Sequence, residues 1–233
     1  MCIACSRRAL IIGSISTLVS SRTASYAIDG SRVACVSGSS LPDYSNMTSK
    51  SGDPAFDRAL IAELKRIISV IPVDPGFKFV NAKNAGATPE TIVNGTKGTV
   101  LIGIRLVNEL LKPRQGGITV ACVLAHECGH IFQFFSADQY YARLSGPTER
   151  LRELHADVLA GYYLAKKMGS DPGAMRDVLR AFIDLGAYEN ASPDDHGSPG
   201  QRCAALDKGY TLSLSGKPFQ DSAQEGASYV RGL

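Results

Sequence analysis

The stretch CVLAHECGHIFQFF, residues 122–135, carries the strongest chemical pattern in the chain. Inside it His126-Glu127-Cys128-Gly129-His130 reads HExxH, with its two histidines four apart. On a helix that spacing puts both imidazoles on one face, one turn from each other. Two neutral imidazoles so placed can grip one zinc ion, and the carboxylate between them can take a proton from a water on the metal. The pattern is short, so the rest of the sequence tests it.

A catalytic zinc takes three protein ligands and leaves one position for water. The next segment with helical character, residues 148–168, follows Ser145-Gly146-Pro147 and contains Glu153-Leu154-His155-Ala156-Asp157. Glu153 and Asp157 share a helix face. His155 lies about 200° around the axis from Glu153, which makes it a surface or rim residue rather than a ligand. The economical assignment gives Glu153 to the metal. Asp157 then accepts the far N–H of a ligand histidine, which fixes that ring's tautomer and orientation. Ala156, Ala160 and Gly161 are small enough to let this helix pack closely on the HExxH helix.

HExxH followed by Glu-x-x-Ala-Asp on a second helix resembles the signature of gluzincin metallopeptidases. It is similar in particular to the family of CAAX-processing and heat-shock membrane proteases and to related neutral zinc metallopeptidases of bacteria. The run Thr99 to Ile104, the approach Val120-Ala121-Cys122-Val123-Leu124-Ala125, and the later Asp195-His196-Gly197-Ser198-Pro199-Gly200-Gln201-Arg202 extend the likeness over about residues 80–206. The resemblance implies zinc held by His126, His130 and Glu153, with Glu127 as general base and Asp157 behind the ligands. It further implies His196 as a hydrogen-bond donor to the transition state and Arg202 as a brace on Asp157 or Glu153. The chain departs from these relatives in lacking spanning helices after its N-terminal segment, in Cys128 after the glutamate, and in Gly197 where some have proline. It reads as a soluble, exported version.

Residues 1–27 read as an export signal: Arg7 and Arg8, an apolar run from Ala9 to Val19, and the small-residue end Ala24-Ser25-Tyr26-Ala27. Ser6-Arg7-Arg8-Ala9-Leu10-Ile11 resembles a twin-arginine signal, so a periplasmic or secreted location is expected. The whole chain carries 25 basic and 22 acidic residues. Removing Arg7, Arg8 and Arg22 leaves 25 − 3 = 22 basic, a neutral body that gives no electrostatic case for nucleic acid or anionic lipid. Cys35, Cys122, Cys128 and Cys203 would remain, an even number that suggests disulfides in an exported protein. Cys122 and Cys128 are about 240° apart around one helix, so each, if oxidised, would pair with Cys35 or Cys203; buried thiols are the alternative.

Residues 28–52 are Ser- and Gly-rich and irregular, and 53–233 form the expected catalytic domain. Apolar periodicity and breakers predict helices over 54–70, 106–111, 118–135, 148–168, 171–185 and 199–208, with weaker helix over 219–230. Strands are expected at 77–80 and 99–104, and 81–94 reads as loop or a poor edge strand. The fold class is α+β: a mostly helical, zincin-like domain with a small sheet beside the HExxH helix. The expected activity is zinc-dependent endopeptidase action on a protein or peptide lying extended along the strand at Thr99 to Ile104. The reading from a different class is a zinc-binding scaffold without catalysis. A third is a latent peptidase whose cleft is covered by the segment before Asp53.

Overall fold

The structure, a computed structural model, describes residues 46–112, 116–171 and 196–233, with 175–176, 178–179 and the backbone of 35–37. The expected export signal lies outside the described residues, and so does most of the expected helix over 171–185. The fold is α+β, with helices around a small mixed sheet.

Asp53 opens the first helix, α1 (Pro54–Ile68). Its side chain accepts from the backbone N–H of Ala55 and Phe56, and Pro54 fills the first position, where no donor is needed. The apolar stripe of α1 buries Phe56, Leu60 and Ile67. Glu63 is buried with them, where it accepts from Tyr163 at 2.5 Å and lies 2.7 Å from Lys167 Nζ.

Among the described residues, β1 (Cys35–Ser37), β2 (Gly76–Val80), β3 (Ala85–Thr88) and β4 (Thr99–Gly103) form one sheet in the order β1-β3-β4-β2. β4 is buried along its whole length, as its unbroken Thr-Val-Leu-Ile-Gly run requires. β3 corrects the expectation of loop or poor edge strand over 81–94. Its sequence, Ala-Gly-Ala-Thr, has little intrinsic strand preference, yet all four residues are buried and pair antiparallel with β4, Ala85 opposite Ile102 and Thr88 opposite Thr99. Small side chains let the HExxH helix lie close over this strand.

β3 also corrects the expected substrate path. β4 pairs with β2 in parallel on one side and with β3 on the other, so it has no open edge at which an extended peptide could add. The outer edge of β3 carries Cys35–Ser37, and Phe79 of β2 exchanges backbone hydrogen bonds of 2.8 and 2.9 Å with Thr48. The segment read as irregular thus contributes a short strand.

A short helix, α2 (Ile104–Leu110), leads to the HExxH helix α3 (Gly116–Phe135), buried continuously from Gly116 to Gln133. A helix apolar all round belongs in a core. It is also the one described helix long and apolar enough to cross a membrane, and 89% of that window is buried inside the fold. After the single turn α4 (Tyr140–Arg143) come α5 (Arg150–Met168), α6 (Pro199–Leu214), α7 (Phe219–Tyr229) and a final 3₁₀ turn, Val230–Gly232.

Helix α5 is the hub, packing on α3, α6 and α7. A Cβ on Gly129 of α3 would stand 3.2–3.4 Å from Ala156 of α5, so Ala156 does set the approach to the HExxH helix. Gly161 does not: it faces α6, where an added Cβ would meet the Leu206 carbonyl oxygen at 1.9 Å. Gly209 answers from α6, with the Val158 carbonyl oxygen 1.8 Å from a Cβ placed there. Helix α6 starts with a capping box between Ser198 and Gln201 and runs six residues past the expected end at 208.

Candidate metal centre

The periodicity of α3 delivers what HExxH promised. His126 and His130 project from one face, their ring centroids 4.7 Å apart, and their Nε2 atoms are 3.1 Å from each other. From α5, Glu153 reaches the same point. Its Oε2 is 3.2 Å from His126 Nε2, and its Oε1 is 3.2 Å from His130 Nε2. The three side chains are buried and offer ligand atoms within 4.8 Å of one another, a group that could hold a metal ion.

The outer nitrogens of both rings are tied down. His126 Nδ1 donates to Asp157 Oδ1 at 2.8 Å, and His130 Nδ1 donates to Gln133 Oε1 at 3.0 Å. With protons on both Nδ1 atoms, the two Nε2 lone pairs face each other across 3.1 Å, beside a carboxylate. That arrangement calls for a cation between them, a proton or a metal. The protonation balance agrees. Burial pushes His126 down, but Asp157 and Glu153 together outweigh burial and hold it up at about 10. Burial likewise opposes the charge on Glu153, while His130 and His196 pull its carboxyl well below the usual range.

Arg202 reaches Asp157 from α6 and donates twice, Nε to Oδ2 and Nη2 to Oδ1, both at 2.8 Å. Of the two acids proposed for it, Asp157 is the one it grips. His196 is 5% exposed and places its Nε2 3.8 Å from Glu153 Oε2. The next residue, Gly197, has φ +89°, a left-handed turn that glycine adopts without strain. Glu127 follows His126 on α3 and is fully buried.

His155 corrects the sequence reading. It is fully buried, not on a rim. Its Nδ1 accepts from Gln133 Nε2 at 3.1 Å, its Nε2 donates to the Ala223 carbonyl at 3.0 Å, and Tyr140 stacks on its ring. Burial pushes its pKa down to about 4, so it is neutral. The helical-wheel argument was right that His155 turns away from the Glu153 face. It missed that α7 and α4 cover the far side of α5. Gln133 was missed altogether, although it lies three residues after His130 and so on the same face.

Cys122, Cys128 and Cys203 are free thiols, and burial raises the pKa of each. Cys122 and Cys128 are buried in α3 with no bond to another described cysteine, which is the buried-thiol alternative; the side chain of Cys35 lies outside the described residues. No family model, curated protein or solved structure matches the chain.

Proposed function

We propose that the chain is a zinc-dependent metallopeptidase, an endopeptidase acting on a protein or peptide. The observation that carries this reading is the triangle of His126 Nε2, His130 Nε2 and Glu153 carboxylate oxygens with edges of 3.1–3.2 Å. Ligands about 2.0–2.1 Å from a tetrahedral zinc stand about 3.3 Å apart, so the donor set fits that ion. Two imidazoles and one carboxylate also match a catalytic rather than a structural ligand set, which is richer in thiolate. Among the described residues, the ligand atoms that come within 4.8 Å of one another are those of His126, His130 and Glu153, with neither Cys122 nor Cys128 in the group.

Zinc so held supplies Lewis-acid chemistry, acidifying water and polarising a carbonyl oxygen. Glu127 is the one carboxylate of the HExxH turn not engaged as a ligand in this scheme. It accepts the proton of the attacking water and delivers it to the departing amine nitrogen, so that one group serves as base and then acid. Asp157 and Gln133 keep His126 and His130 in the tautomer that leaves Nε2 bare. His196, whose Nε2 is 3.8 Å from Glu153 Oε2, serves in this scheme as hydrogen-bond donor to the developing oxyanion. The export and periplasmic location expected from residues 1–27 belongs to this proposal.

A second reading, a zinc-bearing scaffold without catalysis, draws on one observation: the ligands and Glu127 are all at most 1% exposed. The two readings separate in a peptide-library digest with zinc-loaded wild type and Glu127→Gln. Cleavage that a chelator abolishes and that the variant lacks supports the peptidase. A zinc-bound wild type that cleaves nothing, or a variant as active as wild type, supports the scaffold.

A further inference from the structure

Outward from His130, the hydrogen bonds permit only one arrangement of protons. Gln133 Nε2 lies 2.8 Å from the Arg152 carbonyl. A carbonyl only accepts, so this end of the amide is its NH₂ group and the other end is its oxygen. That oxygen meets His130 Nδ1 at 3.0 Å, so Nδ1 carries a ring proton and the neutral ring keeps its lone pair on Nε2. The second N–H of Gln133 points at His155 Nδ1, 3.1 Å away, which must therefore be an acceptor. His155 then carries its proton on Nε2, and Nε2 faces a group that only accepts, the Ala223 carbonyl at 3.0 Å. The line starts at one backbone carbonyl and ends at another, and both ends demand the same assignment.

We propose that Gln133 and His155 are positioning residues that lock His130 in its metal-binding tautomer and tie it to the C-terminal helix. The proposal rests on the reading of His126, His130 and Glu153 as metal ligands, and it does not depend on peptide hydrolysis. All three side chains of the line are at most 1% exposed, so water does not compete for these bonds. His155 has no rotational slack: Tyr140 stacks on it with centroids 4.9 Å apart and planes 28° apart, and a Cβ on Gly226 would stand 3.6 Å from its Cδ2. The consequence is that α7, far from HExxH in sequence, belongs to the support of the metal centre. Partners that fix a ligand histidine in this way typically change metal affinity by about 10- to 100-fold when removed.

The test uses the full chain in two ways. In metal-free wild type with ¹⁵N-labelled histidine, long-range ¹H–¹⁵N correlation spectra report the tautomer of each ring. His155 is expected as the neutral Nε2–H form at pH 7; an Nδ1–H form or a charged ring overturns the proposal without reference to any activity. Zinc affinity, measured by competition with a chromogenic chelator, then separates positioning from space-filling. His155→Gln can accept from Gln133 and donate to Ala223, and is expected within about 3-fold of wild type. His155→Phe keeps an aromatic ring at this position, makes neither bond, and is expected to bind zinc about 10-fold more weakly. A Phe variant that binds like wild type, or a Gln variant weaker than the Phe variant, overturns the relay. If the Phe variant does not fold, the wild-type tautomer decides alone.

Discussion

Arg202 grips Asp157 with both arms of its guanidinium fork, two 2.8 Å hydrogen bonds between side chains that are each at most 7% exposed. The pair joins α6 to α5 directly behind His126, whose Nδ1 donates to the same aspartate. Burial alone would raise the Asp157 carboxyl, and Arg202 with His126 outweighs it and holds the group below its usual range. Arg202→Met should therefore cost about 3–5 kcal/mol in denaturant unfolding, because it strands a buried carboxylate. It should also weaken metal binding by about 10-fold or more. Arg202→Lys should recover little of either, since an ammonium cannot make the two-pronged contact.

At the proposed metal site, protons and a metal would compete for one place. In the metal-free protein, Asp157 and Glu153 hold His126 protonated up to about 10, and His130 is raised as well, chiefly by Glu153 against burial. A raised folded pKa means a bound proton that must leave before a metal enters. Apparent affinity should thus climb with pH from the acid side until about 10, by about tenfold per unit for each proton displaced. Calorimetric titration in buffers of differing ionisation enthalpy should count at least one proton released at pH 7. No proton release, with affinity flat in pH, would contradict the balance described.

The α5–α6 crossing has no room for a methyl group. Gly161→Ala or Gly209→Ala would drive a Cβ to within 1.9 Å of a carbonyl oxygen on the facing helix. Each change should destabilise the fold by about 3 kcal/mol, read as a lower denaturant midpoint. Gly169→Ala, where nothing stands within 4 Å of the new Cβ but φ is +63°, should cost less.

Far from the His126–His130–Glu153 group, Glu63 fastens α1 to α5. Burial opposes its charge, and Lys167, Tyr163 and Arg66 prevail and lower its pKa. A depressed carboxylate contributes stability above its unfolded pKa, near 4.5, and loses it as pH falls through the lower folded value. Glu63→Gln should destabilise at pH 7 by about 3 kcal/mol, because Lys167 stays buried without its partner. The difference from wild type should shrink as pH falls below 4.5.

The long helices were legible because their apolar spacing or their caps announce them: Asp53-Pro54 before α1, Ser198-Pro199 before α6, and the unbroken apolar run of α3. The convergence of His126, His130 and Glu153 was legible because HExxH and Glu153 follow helical geometry. β3 was not, since Ala-Gly-Ala-Thr is chosen for fit beneath α3 and carries no alternation. Nor was the burial of His155, which depends on where α4 and α7 come to rest. Gln133 could have been found by continuing one turn past His130 on the same face. The strand at Thr99 was found, but its two partners closed the edge assigned to substrate.

The central claim is that His126, His130 and Glu153 together hold one metal ion. Metal content per chain, measured after zinc loading and desalting of wild type, Glu153→Ala and Glu127→Gln, tests it most directly. The account predicts one zinc in wild type, one in Glu127→Gln, and near none in a folded Glu153→Ala. A wild type that retains no zinc, or a Glu153→Ala variant that retains as much as wild type, would contradict it.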